Sequence, residues 1–335
     1  MLCSTWQSEE GNLPQTKAGL YHQFVDHIYE WNKTRFPIEP EQKKNLNNAL
    51  RRLALKDIQE GGSRFRLLES FIKKELGEPE GKYSLFYKAL QLGWLNHIGI
   101  AAESQSKEKV YAFFHPTFEE YFAALAIDDW HFFLNHISNH PNHSNANYRI
   151  FEPQWKEVIL LWLGREDVDE EQKEEFIQAL VEFEDGCGDF YCYRAYILAA
   201  EGIAEFRDCS RAEEIVEDIV RAYWVIAGGS IIDELWAVLL KTDRTIATKT
   251  LEEAIEDGNV PDRDRVADTL LKIHPGNPRV IRMVVSLIRN CKHDFKCKLM
   301  LDILDQNVSL CNISSDDRTA IEALTKAIHN PMSLK

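Results

Sequence analysis

No apolar run in the chain approaches the ~20 residues that a membrane-spanning helix needs, which argues against a membrane partner. The opening, Met1-Leu-Cys-Ser-Thr-Trp6, lacks the basic start and apolar stretch of a secretory signal, so the expected location is the cytoplasm. Phosphate cradles of the G-x-x-x-x-G-K-S/T type are absent, and so is H-E-x-x-H. The nearest glycine clusters, Asp185-Gly-Cys-Gly188 and Ala227-Gly-Gly-Ser230, have no lysine at the required place and read as turns. This sequence alone therefore should not hydrolyse ATP, and no catalytic residues are assigned. C-x-x-C pairs are missing too, and that weakens a zinc reading of Cys187, Cys192 and Cys209, or of Cys291, His293, Cys297 and Cys311. Seven scattered cysteines fit buried thiols in a reducing compartment better than a disulfide framework, so no metal site is expected.

What is present belongs to a globular chain: 44% hydrophobic and 28% charged residues over 335 positions, enough for a sizeable core and about two domains. The net charge of −15 is unevenly distributed. Residues 1 to 125 hold 16 Lys+Arg and 16 Asp+Glu, leaving 23 against 38 in the remainder. An acidic surface repels phosphate backbones, so nucleic acid is not the expected partner of the C-terminal part.

Helical periodicity dominates. Leu20, Phe24, Ile28 and Trp31 recur along one face, and Leu46, Leu50, Leu53, Ala54 and Ile58 along another that ends at Gly61-Gly62. Two further helices follow over 65–76 and 85–90, with Ser63 and Ser84 as candidate caps. Gly93 then releases the chain into a strand from Trp94, a polar turn at 103–108, and a return through Val110-Tyr-Ala-Phe-Phe114. That strand passes through His115 directly into a helix whose Pro116 suits the first turn and whose Phe118, Tyr121, Phe122 and Leu125 share a face. A histidine at such a junction caps or packs in many proteins.

The stretch Phe113-Phe-His-Pro-Thr-Phe-Glu-Glu-Tyr-Phe-Ala-Ala124 resembles the F-x-H-x-T-F-Q-E-Y-F-A-A signature that closes the winged helix of NACHT-family NTPases, with Glu119 where Gln is commoner. The earlier Gly11-Asn-Leu-Pro-Gln-Thr-Lys-Ala-Gly-Leu-Tyr21 is similar to the start of the small helical domain that follows the family's nucleotide-binding core. The resemblance implies that His115 reaches the phosphates of bound ADP, and that ATP or ADP with Mg belongs to a complete NACHT protein rather than to this chain alone. It also implies a partner, a NACHT nucleotide-binding domain absent from this sequence. The chain then reads as the C-terminal half of such a protein, of cyanobacterial type, with stress or antiphage signalling as the associated role.

The expected fold is predominantly all-α: 1–38, remnant of the helical domain; 39–127, winged helix with a small β-hairpin; 128–154, linker; 155–230, a helical domain with Cys and His; 231–335, HEAT-like α-solenoid repeats. The linker includes a polar loop with His136, His140 and His143, and His131 lies just upstream. Trp155-Lys-Glu-Val-Ile-Leu-Leu161 resembles the helix after the NACHT winged helix. The stretches Phe183-Glu-Asp-Gly-Cys-Gly-Asp-Phe-Tyr191 and Ile203-Ala-Glu-Phe-Arg-Asp-Cys209 resemble a Cys/His-containing C-terminal domain of the family. In the last third Ala247-Leu251-Ala254-Ile255, Val280-Val284-Leu287-Ile288 and Ala320-Leu324-Ala327-Ile328 repeat one pattern, each after a helix-start signal, as stacked helix pairs require.

The expected function is regulation and sensing, with no catalysis of the chain's own, and with an unidentified trigger on the repeats. The alternative is a DNA-binding winged-helix regulator with a repeat effector or scaffold domain. Its third helix, however, offers only Lys88, while Arg51, Arg52, Lys56, Arg64, Arg66, Lys73 and Lys74 sit on earlier helices.

Overall fold

Thr16 is extended, and its hydroxyl accepts the amide of Gly19 at 3.0 Å, so the first described helix, α1 (Lys17–Asn32), begins there. The same hydroxyl donates to the carbonyl of Gly164 at 2.9 Å, and Glu205 accepts the Lys17 amide at 2.7 Å. A helix N-terminus leaves several amides without partners; here Thr16 answers one and Glu205, far along the chain, another. Gly164 leaves room for this approach, since a Cβ there would crowd Glu205 and Thr16 at 3.1 and 3.2 Å.

The computed structural model describes residues 14–60, 66–81, 83–101, 107–136, 146–185, 190–221, 230–256, 263–275, 277–289 and 304. Among the described residues it is predominantly helical with one small antiparallel sheet, and it divides into two compact units, residues 1–209 and 210–335. Among the described residues no helix is long and apolar enough to cross a membrane.

In the first unit the order after α1 is α2 (Pro40–Gln59), β1 (Leu67–Leu68), α3 (Glu69–Leu76), α4 (Leu85–Gln91), β2 (Leu95–Ile100), β3 (Lys109–Phe113) and α5 (Pro116–Ala124). Proline opens α2 and α5, where its missing N–H costs nothing, and Ser84 caps α4 by accepting the Tyr87 amide. The three strands pair in the order β1-β3-β2, with Leu67 opposite Tyr111 and Leu95 opposite Phe113. The sequence predicts only the β2–β3 hairpin; Leu67 and Leu68, predicted as helical, form a third strand. A two-residue strand has no periodicity to read, and its partner β3 lies more than forty residues on. Positions 61–65, including the predicted Gly61-Gly62 stop and the Ser63 cap, lie outside the described residues.

The core of this unit is built on α2 and α5. Leu46, Leu50, Leu53 and Ala54 are fully buried along α2, and Phe118, Tyr121 and Phe122 along α5. Trp94, released by Gly93 at φ +79°, is fully buried with its ring against Phe118 and Phe122 at 5.7 and 5.5 Å. Aromatic pairs at these separations add to the burial term.

Three 3-10 turns (Trp130–Phe132, Arg149–Phe151, Pro153–Trp155) lead to α6 (Lys156–Leu163), α7 (Glu170–Val181) and α8 (Phe190–Gly202). The stretch 128–154, expected as a linker, has core residues at both described ends: Phe133, Leu134, Ile150 and the adjoining Trp155 are buried, and Arg149 lies over the Phe132 ring at 4.1 Å. The helical run predicted from Tyr191 to Phe206 ends at Gly202, where a Cβ would lie 2.7 Å from Leu163 Cδ1, so a larger residue there would push the Leu163 side chain aside.

The second unit contains α9 (Ala212–Arg221), α10 (Ser230–Val238), α11 (Arg244–Glu256), α12 (Arg263–Ile273) and α13 (Pro278–Arg289). Its division from the first at 209/210 lies upstream of the expected 230/231 boundary. Asp243 accepts the amides of Thr245 and Ile246, and Asn277 accepts that of Arg279, so the two described helix-start signals act as caps. Ala247, Leu251, Val280, Val284, Leu287 and Ile288 are buried as their spacing predicts, whereas Ala254 and Ile255 are only half-buried. Cross-links run from Lys249 to Glu213 at 2.7 Å and from Arg279 to Glu252 at 3.0 Å. The third copy of the pattern, at 320–328, lies outside the described residues.

Candidate functional site

His115 stands where β3 ends and α5 begins, with extended backbone (φ −148°, ψ 146°) and an exposed side chain. Pro116 fixes the first helical residue, so the imidazole replaces the more usual Ser or Asp as N-cap. Its Nδ1 accepts the Thr117 amide at 3.4 Å and lies 2.9 Å from the Thr117 hydroxyl. That engagement fixes the ring's orientation and leaves Nε2 with no protein partner among the described residues. Phe114 beside it is 52% exposed. Beneath lies an aromatic stack in which Phe118 meets Tyr21 and Phe24 of α1, each at 5.2 Å. The seam thus presents an imidazole nitrogen on a rigid apolar base. A neutral imidazole can donate to or accept from a ligand, and a protonated one can meet an anion.

The opposite end of α5 is fastened differently. Helix C-termini leave carbonyls unpaired, and here Arg165 Nη1 donates to the carbonyls of Ala124 and Ile127, each at 2.7 Å. Trp162 Nε1 also donates to Ile127 at 2.9 Å. Arg165 is itself held by Asp167 through two parallel bonds of 2.8 and 2.9 Å, which keep the Asp167 carboxyl below its ordinary range. Lys173 caps the Arg165 carbonyl in turn. One end of α5 is therefore exposed at His115 and the other is clamped to the helical layer that follows.

Two acidic residues of α5, Glu119 and Glu120, are buried, with exposures of 2% and 5%. Asp57 of α2, also buried, shares a hydrogen bond with Glu119; burial pushes the Asp57 carboxyl above its usual value, against the opposing effect of that bond. Two carboxyl groups in contact favour holding one proton between them. Sequence reading missed this pair, because charged positions on an amphipathic helix are ordinarily read as its solvated face.

Three of the basic residues of the earlier helices are committed within the protein. Arg52 and Lys56 both pair with Glu75, and Lys73 pairs with Glu78 at 2.9 Å. Lys88 of α4 is buried and donates to the Pro37 carbonyl at 3.0 Å. Arg64 lies outside the described residues. Of the histidines in the 128–154 stretch, His131 bonds Asp129 at 2.7 Å and His136 bonds Tyr148 at 2.9 Å. His140 and His143 lie outside the described residues, as do Cys187, Cys291, His293, Cys297 and Cys311. Cys192 is half-buried and Cys209 buried, and among the described residues no three His, Cys, Asp or Glu side chains gather around a metal position. Both glycine clusters also fall almost wholly outside the described residues. No protein-family model matches the chain, and no curated protein matches it.

Proposed function

We propose that the chain is the regulatory and sensing portion of a NACHT-type signalling NTPase, working with a P-loop domain that this sequence does not contain. The observation that carries the proposal is the placement of His115, exposed at one end of α5 while Arg165 clamps the other. A phosphate oxygen accepted at His115 would bias the position of α5. The Arg165 clamp would pass that bias to α6 and α7. Two-state domain rotation needs such a rigid connector, and a ligand shifts the balance only by preferring one state.

Further support comes from element order. Helix, strand, two helices and two strands with sheet order β1-β3-β2 is the arrangement expected of a winged helix, and it ends in the signature-like stretch. Under the proposal the stacked helices of residues 210–335 are HEAT-like and receive the trigger, while ATP or ADP with Mg is held by the separate domain. The chain has no catalysis of its own in this reading. The DNA-binding alternative is weaker, because the helix that would enter the groove has its lysine buried and exposes Tyr87 instead.

Hydrogen–deuterium exchange tests the proposal. Adding an ADP-loaded NACHT nucleotide-binding domain should slow exchange over 109–124. Unchanged exchange there, with the two proteins shown to associate, would count against it.

A further inference from the structure

A cleft of about 350 Å³ opens among α1, α2, α5 and the turn after α6, with Ala18, His22, Arg51, Tyr121, Leu125 and Asp167 in its lining. Its volume falls in the range of small-molecule sites. Arg51 is half-buried, its Nε–H is buried without an acceptor, and its guanidinium makes no hydrogen bond or ion pair among the described residues. The neighbouring acid supplies charge but no bond: Asp167 is stabilised electrostatically by Arg51, yet both of its oxygens are hydrogen-bonded to Arg165. Glu166, also on the lining, is exposed to solvent. Tyr121 lies with its hydroxyl 3.5 Å from His22 Nδ1, and burial pushes its phenol up, so it remains a neutral hydrogen-bonding group. Pro14, Ala18 and Leu125 supply apolar wall.

A guanidinium lacking its acceptor, set in a cavity with an apolar wall, is complementary to an oxyanion carried on a carbon body. We propose that this cleft is a binding site for a small organic anion, whose carboxylate or phosphate meets Arg51 while its aromatic or aliphatic body lies against Tyr121 and Leu125. The site is separate from His115 and does not depend on the role proposed for it.

Titration calorimetry of the full chain with benzoate, phenyl phosphate and benzyl alcohol tests the site. One or both anions should bind at one per chain, the better binder assigning the head group, with the alcohol about tenfold weaker or more. Arg51→Gln should weaken the anion by a similar factor. Leu125→Trp, which fills the cleft and keeps the arginine, should abolish binding in a chain whose circular dichroism and melting remain those of the wild type. Absence of binding by either anion at about 10 mM, or equal binding by wild type and both variants, would overturn the proposal.

Discussion

Glu119 and Asp57 bring two carboxyl groups into contact inside the first unit, where a fully ionised pair is unfavourable. Asp57 has its folded-state pKa raised, so the folded state holds a proton that the unfolded chain releases more readily. The associated stability is present below the ordinary aspartate value and is lost as pH rises through the raised one. Urea denaturation from about pH 4 to about pH 8 should show a decline that Glu119→Gln reduces, because an amide donates to the Asp57 carboxylate without needing a proton. Wild-type and variant curves of equal slope would remove the pair from the account. This residue-scale feature was not legible in the sequence. Acids on amphipathic helices carry no mark of burial, and the contact joins positions sixty-two apart. His115 was legible, since proline after a β-prone run fixes the strand-to-helix junction, although its ring orientation depends on Thr117.

At the scale of elements, α5 depends on side chains remote in sequence. Arg165→Met should cost about 2–4 kcal/mol, since it leaves two buried carbonyls and Asp167 without their donor. Equilibrium denaturation measures that loss, and a change within about 0.5 kcal/mol would mean solvent satisfies the carbonyls as well. Ser84→Ala should cost about 1 kcal/mol through the lost cap on α4. Ser84 and the opening prolines were readable because capping is local. The Arg165 clamp was not, since it forms only when α6 folds back over α5, and neither was β1, whose two residues pair with a strand beyond two intervening helices.

For the whole molecule, the division at 209/210 leaves the aromatic core, the His115 seam and the Arg51 cleft within one unit. Residues 1–209 expressed alone should therefore unfold in a single cooperative transition, with fluorescence and circular dichroism coinciding; separated transitions would show that the unit needs residues beyond it. The predominantly helical character and the repeating apolar pattern of 247–288 were plain in the sequence, because 3.6-residue periodicity reports burial directly. The boundary was less visible, since helices run on either side of it with similar composition. The central claim is that His115 helps retain a nucleotide held by another domain. Release of fluorescent ADP should be timed from the NACHT nucleotide-binding domain assembled with this chain, as wild type and as His115→Ala. Loss of one charge-assisted hydrogen bond predicts release faster by about tenfold or more, whereas equal rates would contradict the claim.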